Sequence, residues 1–335
     1  MLIRFFRSSF AVQYLVVLLI ALVMWLPAFL MPPAIVLIPD GSGLLFVLLA
    51  EWLNEFTFVA VLVSFLMVLL LSFYFNEVLA SNLLIARNSF TGALSWVLLF
   101  SFSPQIIGFS PMIPAALFVL AALHMLFLIY DNRDAVFYVF NGSLFIALAG
   151  LFYPAAFALI VWYLLGLVIA LQFDWRNLGA AFLGFITPVY FVWSWFFITD
   201  ELAVFYQVFE FSMGVPEFIF FSMFSLTEWI VFVFFVLIVI AAVNFVWTGE
   251  SERNLGLRKK ISMTNLLFLV TLFLFFWKPA QLHALVLIPL AVYLAYDLAF
   301  NNKLRLRTIF LYCMLIAMGI NHYFQLLPDG IKSIF

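Results

Sequence analysis

Long apolar runs, separated by short polar breaks, occupy the chain from Ala11 to about residue 325. A window of ~19–20 residues, the length of helix that crosses a hydrocarbon layer, picks out eleven candidate spans. They lie at roughly 11–31, 56–75, 91–105, 112–130, 136–152, 154–172, 178–198, 226–247, 264–277, 281–300 and 308–325. The first follows MLIRFFRSSF, with two arginines ahead of an unbroken apolar stretch. A secretory signal begins similarly, but its apolar core runs only ~7–15 residues. This stretch is long enough to span, so it reads as a retained first helix.

Cytoplasmic loops retain Lys and Arg, which makes the basic residues a test of orientation. With the N-terminus inside, Arg4, Arg7, Arg87, Arg133, Arg176, Arg253, Arg258, Lys259, Lys260, Lys303, Arg305 and Arg307 all fall on the cytoplasmic side. Only Lys278 and Lys332 fall outside. Spans chosen on hydropathy alone thus predict an N-in, C-out topology. Trp52, Trp175, Trp193, Trp195, Trp247 and Trp277 cluster near span ends, as interfacial anchors do.

Two predicted outer segments are more than hairpin turns. After the first span, PDGSGLLFVLLAEWLNEF offers a turn at Asp40-Gly41-Ser42-Gly43, then a mostly apolar stretch with Glu51 and Glu55 at i and i+4. On a helix those carboxylates share a face, which predicts a short amphipathic helix at the outer interface over about 40–55. The second, about 199–225, is aromatic and acidic with a Gly-Val-Pro break, and reads as another interfacial helix or a lid. For each segment, ordinary loop packing is the plainer explanation. The longest inner loop, about 248–263, carries more cations than carboxylates, as a positive-inside anchor or a contact with anionic lipid headgroups would. No soluble domain, long linker or tandem repeat is evident, so residues 1–335 read as one membrane domain.

Composition agrees: 68% of residues are hydrophobic and 9% charged, with a mean hydropathy of +1.25. Soluble domains carry roughly a quarter charged residues. The expected fold class is therefore an all-α polytopic membrane protein. A net charge of -2 supplies no basic field for nucleic acid. One cysteine, Cys313, inside an apolar run, excludes an intramolecular disulfide and a multi-cysteine metal site.

Chemical motifs are few. There is no GxxxxGK[ST] for a self-contained ATP-driven pump, no HExxH and no Gly-x-Ser-x-Gly. His124, His283 and His322 are too scattered to suggest a zinc site, and no motif calls for a cofactor. A lone histidine such as His124, two-thirds along the fourth span, ordinarily bonds a neighbouring helix. Most charges lie at span ends, which argues against an ion-coupled carrier.

The outer face is predicted to be acidic, with Asp40, Glu51, Glu55, Asp200, Glu201, Glu210, Glu217, Glu228 and Asp329. Lys278, in the Trp-Lys-Pro turn of FFWKPAQLHALVLIPLAVYLAY, is the exception, with His283 just beyond it. It either snorkels to the headgroups or meets an anion. One nucleotide-free chemistry suits the second choice: glycosyl transfer from a polyprenyl-phosphate sugar. A carboxylate acts as base toward the acceptor hydroxyl while a cation stabilises the departing lipid phosphate. Asp40, Glu51 and Glu55 are the candidate bases, and Lys278 and His283 the candidate phosphate contacts.

The layout resembles the GT-C superfamily of membrane glycosyltransferases in its N-in first span, outer loop with interfacial helices and series of short hairpins. The resemblance runs through FSFSPQIIGFSPMIPAALFVLAALHMLFLIYDNRDAVFYVFNGSLFIALAGLFYPAAFALIVWYLLGLVIA and the late basic turn WKPAQLHALVLIPLAVYLA. It implies a GT-C-like bundle using a polyprenyl-phosphate sugar. A second resemblance, to an uncharacterised inner-membrane family of Bacteroidota, the DUF6427-like group, rests on Asn82-Leu-Leu near Arg87-Asn88-Ser89 and on SLFIALAGLFYPAAFALIVWYLLGLVIALQFDWRNLGAAFLGFITPVYF, residues 143–191. It implies the inner membrane of a diderm bacterium and brings no activity with it. Three functions are therefore carried forward: a GT-C-like transferase or degenerate relative in cell-envelope biogenesis, a non-catalytic subunit scaffolding an envelope-assembly or secretion complex, and a lipid or polyprenol carrier. Expected partners are membrane lipids, a polyprenyl-phosphate sugar or proteins of an envelope complex, and not nucleic acid. Whether the chain is an enzyme stays open at this stage.

Overall fold

The computed structural model describes residues 2–8, 12–33, 35–36, 38–39, 42–102, 107–131, 134–203, 205–206, 254–277, 284–301 and 304–324, with isolated positions between 233 and 247. Every regular element among the described residues is helical. In chain order they are α1 (Leu2–Phe6), α2 (Val12–Leu30), α3 (Leu44–Leu53), α4 (Thr57–Ser81), α5 (Thr91–Phe100), α6 (Met112–Asp131), α7 (Val136–Phe152), α8 (Leu159–Ile169), α9 (Trp175–Ile198), α10 (Leu255–Trp277), α11 (Leu287–Phe300) and α12 (Leu304–Phe324). Short 3-10 turns, Asn54–Phe56, Pro154–Ala158 and Ala284–Val286, lead into α4, α8 and α11. Ten of the eleven predicted windows hold a helix, and the eighth, 226–247, lies outside the described residues apart from isolated helical positions. The inner loop expected over about 248–263 is helical from Leu255 onward, as the first turns of α10, because hydropathy marks where a helix enters the apolar layer and not where its hydrogen bonding begins.

Four stretches are long and apolar enough to cross a membrane: Val12–Leu30, Leu44–Ser81, Met112–Tyr130 and Trp175–Ile198. Away from their ends they expose many apolar side chains, as with Leu15, Leu18, Leu19 and Leu22 on α2. A helix that is apolar on its exposed face as well as its buried one suits a lipid surround rather than water. By length and composition, this is an α-helical membrane protein.

At the centre lies α5, all ten of whose residues are buried, packed by α4, α11, α1 and α2. Ten residues rise only about 15 Å, roughly half of a ~30 Å hydrocarbon core. The sequence window had extended this helix to 105. The helix instead stops at Phe100, because the Ser101 carbonyl accepts from His322 Nε2 at 2.8 Å and its hydroxyl accepts from Trp25 Nε1 at 3.0 Å. Irregular backbone at membrane depth is tolerated where protein covers it, and Ser101 and Phe102 are both buried. The chain next re-emerges in a non-helical stretch at 107–110.

Close backbone approach sets the rest of the bundle. A β-carbon at Gly184 of α9 would run into the Phe140 carbonyl of α7, so α7 and α9 pack at short range, as small residues allow in membranes. Asp174 caps α9 by accepting from the Asn177 backbone N–H at 2.8 Å.

Charge sorts between the two ends of the bundle. At one end the Phe90 N–H donates to the Phe6 carbonyl at 2.8 Å, and Arg7 donates to the carbonyls of Leu298 and Asn301, each at 2.7 Å. The described cations Arg4, Arg7, Arg87, Arg176, Arg258, Lys259, Lys260, Arg305 and Arg307 all sit on the turns and helix starts or ends that meet there. The other end, reached by the C-termini of α2, α7 and α9, bears exposed Glu51, Glu55, Asp200 and Glu201.

Candidate functional site

The acidic end is built around α3. Its start is fixed where the Gly43 N–H donates to the Phe152 carbonyl at the end of α7, at 2.9 Å. A side chain at Gly43 would strike the Leu151 carbonyl. Its far end is held by Asn54, whose Oδ1 accepts from the Val36 N–H at 2.9 Å. Between them Phe46 is fully buried and stacks on Phe109, with ring centroids 5.1 Å apart. That contact ties α3 to the stretch following the short helix α5.

Three attachments leave one face of α3 in the protein and the other open. Leu44, Phe46, Ala50 and Leu53 are buried, whereas Leu48, Glu51 and Trp52 are exposed, with Glu55 and Phe56 exposed just beyond. The amphipathic segment expected from the sequence is therefore helical over 44–53. Glu51 stands on α-helix, but Glu55 falls in the 3-10 turn Asn54–Phe56. The tighter winding there changes the i, i+4 relation expected of a continuous α-helix. Leu44 also packs with Phe196 at the end of α9 and with Phe205. The two segments, separated in sequence and both expected at the outer interface, thus join in a single apolar cluster near Asp200 and Glu201.

Of the predicted site residues, the structure places Glu51 and Glu55 together on this rim, both exposed. Asp40, Lys278 and His283 lie outside the described residues. Among the described residues, no group of three or more His, Cys, Asp or Glu side chains could hold a metal ion. Cys313 is free and half-buried.

At the basic end the structure gathers polar groups that no local motif had announced. Arg307 Nε lies 2.9 Å from Asp297 Oδ2. That contact is poorly aligned for a hydrogen bond, while Arg307 Nη2 donates to Asp297 Oδ1 at 3.3 Å. The geometry marks an ion pair held by charge and proximity. Asn301 Nδ2 donates to the same Oδ1 at 2.8 Å. Burial pulls the Arg7 guanidinium below its ordinary value, and Asp297 opposes that shift. A guanidinium stays charged throughout the physiological range. Arg7 also caps the C-terminus of α11, where a cation meets the negative end of the helix dipole. Asp297 and Arg307 line a recess with Leu98, Phe310 and Met314, and together with Arg7 and Asn301 they fasten the N-terminal turn, α11 and α12.

A second group lies between α4 and α6, where the Tyr74 hydroxyl meets His124 Nδ1 at 3.1 Å. Glu77 and Lys260 lie within electrostatic reach of the same ring. The sequence had shown His124 as a lone polar residue in an apolar span. Its partners come from other helices distant in the chain, Tyr74 being 50 positions away, so only the i, i+3 placement of Tyr74 and Glu77 on α4 could have signalled a shared face.

No family model, curated protein or solved structure matches the chain.

Proposed function

We propose that the chain is a multi-pass protein of a bacterial inner membrane, with eleven spans, its N-terminus inside and its C-terminus outside, acting at the outer leaflet in cell-envelope biogenesis. The gathering of the described cations at one end supports that orientation. The activity we propose is GT-C-like transfer of a sugar from polyprenyl phosphate. The observation that carries it is the fixing of α3 by Gly43, Phe46 and Asn54, so that Glu51 is presented on a rigid rim beside Trp52 and Phe56. Rigid presentation is what a general base needs. In this reading Glu51 or Glu55, or Asp40 nearby in sequence, takes the proton from the acceptor hydroxyl. The oxygen attacks the anomeric carbon, and the bond to the lipid phosphate breaks. Lys278 and His283 stabilise the phosphate that leaves.

The test is transfer from a radiolabelled polyprenyl-phosphate sugar by the purified chain in nanodiscs. Positioned acid–base catalysis contributes about 10²–10⁴-fold, so Glu51→Gln, Glu55→Gln or Asp40→Asn is expected to lower the rate by that order, and Lys278→Ala to abolish phosphate release. Activity in all four variants equal to that of the unaltered chain overturns the catalytic assignment. A second reading, a non-catalytic subunit of an envelope complex, is favoured by the exposure of Glu51 and Glu55 on an otherwise apolar face. Leu48, Trp52 and Phe56 would then be the contact surface. Loss of complex assembly on Trp52→Ala, with no transfer activity in the unaltered chain, supports it.

A further inference from the structure

Three helices end in the same kind of cap, and two of them fill it with a side chain that its backbone disfavours. In this cap, the Schellman motif, one residue past the helix takes a left-handed conformation, for which glycine is the usual choice. At the end of α4 the Leu84 N–H donates to the Leu79 carbonyl at 2.9 Å and the Leu83 N–H to the Ala80 carbonyl at 3.2 Å, with Leu83 at φ 61°. At the end of α8 the Gln172 N–H donates to Leu167 at 3.0 Å and the Leu171 N–H to Val168 at 3.1 Å, with Leu171 at φ 60°. At the end of α9 the Glu201 N–H donates to Phe196 at 3.0 Å, with Asp200 at φ 58°.

Aspartate visits this conformation readily, because its short polar side chain can bond locally. Leucine does not, since its β-carbon crowds the following carbonyl oxygen. Strain of this kind persists only where something offsets it, and the cap itself does not. The apolar contact of a Schellman motif is made by the residue after the left-handed one. At the end of α4 that residue is Leu84, which is buried. Leu83 and Leu171 instead turn outward, 68% and 79% exposed.

Their position in the bundle says what they meet. Each stands two residues past the end of an apolar helix, Ser81 for α4 and Ile169 for α8. Two residues reach at most about 7 Å, which keeps both leucines at the edge of a ~30 Å hydrocarbon core, within the headgroup layer that flanks it. Phe173 and Trp175, both exposed, follow Leu171, as aromatic side chains do at that boundary. Arg87 and Arg176 lie four and five residues beyond the two leucines and are exposed as well. Cations there complement lipid phosphates.

We propose that the turns after α4 and α8 are inserted into the membrane: Leu83 and Leu171 bury their side chains just beneath the headgroups of the leaflet at the basic end, and Arg87 and Arg176 meet the phosphates above them. Burial of an apolar side chain away from water is then what offsets the left-handed backbone. This surface lies at the opposite end from α3. It rests neither on the transferase reading nor on which compartment the basic end faces.

Spin-label accessibility measures this on the full chain in nanodiscs, in a Cys313→Ser background. Nitroxides at Leu83→Cys and Leu171→Cys are expected to collide severalfold more with oxygen, which concentrates in lipid, than with a water-soluble nickel chelate, relative to a label at Arg87→Cys. Preferential collision with the chelate puts the turns in water and overturns the proposal. Exclusion of both probes overturns it too, since protein would then cover the turns. Thermal unfolding in the same nanodiscs is a second, label-free measurement. Glycine relieves the strain at all three caps, so Asp200→Gly is expected to hold or raise the Tm. Leu83→Gly and Leu171→Gly also lose the lipid contact and are expected to lower it. A Tm unchanged or raised in either leucine variant shows that lipid does not offset the strain there, and overturns the proposal.

Discussion

Asp297 is 1% exposed and its partner Arg307 14%, so neither charge is solvated as it would be in water. Isolated ions at such positions are costly, and an ion pair recovers that cost only with good geometry and further hydrogen bonds. Here Asn301 and Arg307 both donate to Asp297 Oδ1. Removing one member strands the other. Arg307→Met is expected to destabilise the chain by about 3–5 kcal/mol, and the double replacement Arg307→Met with Asp297→Leu to recover most of that loss. Thermal unfolding in nanodiscs measures both, and a double variant no more stable than the single one shows that the pair is not the cause. The pair could not be read from sequence. Asp297 and Arg307 are only 10 positions apart, but nothing in LAVYLAYDLAF distinguishes Asp297 from a solvated carboxylate at a span end.

Among the helices, α3 and α5 show what apolar patterning carries and what it omits. The helical character of α3 was legible, because one face is apolar and Glu51 interrupts it on the other. Its docking was not, because it depends on backbone contact. Gly43 is present because the Leu151 carbonyl occupies the space of a side chain. Gly43→Ala is expected to lift α3 from α7 and separate Phe46 from Phe109. Cysteines replacing those two phenylalanines, in a Cys313→Ser background, are expected to cross-link in the chain with Gly43 and to lose cross-linking with alanine there. Retained cross-linking would mean that α3 accommodates the extra carbon by another route. For α5, hydropathy predicted a span to 105 because the apolar run of LSWVLLF continues through Phe102. Hydropathy reports partition, not backbone hydrogen bonding, and the partners that end α5 come from Trp25 and His322. Pro104, Gly108 and Pro111 were nevertheless present as breakers, the one local signal of a short helix.

Orientation is decided by the ensemble of charges. Moving one Lys or Arg to the centre of a span costs about 2.5–3.5 kcal/mol, so registers that slide a basic turn into the membrane are disfavoured one cation at a time. The cations of the basic end are further held in groups, through Arg7 with Leu298 and Asn301, Arg307 with Asp297, and Lys259 over Tyr130. Inverting the chain would require translocating all of these turns together. The proposed topology therefore makes opposite predictions for residues at the two ends. In a Cys313→Ser background, Glu55→Cys is expected to react with a membrane-impermeant maleimide on intact spheroplasts. Arg87→Cys and Arg176→Cys, both exposed at the basic end, are expected to react only after permeabilisation. The reverse pattern would place the cations outside and α3 in the cytoplasm. That result would remove a polyprenyl-phosphate sugar of the outer leaflet as the donor, since Glu51 and Glu55 would then face the wrong compartment.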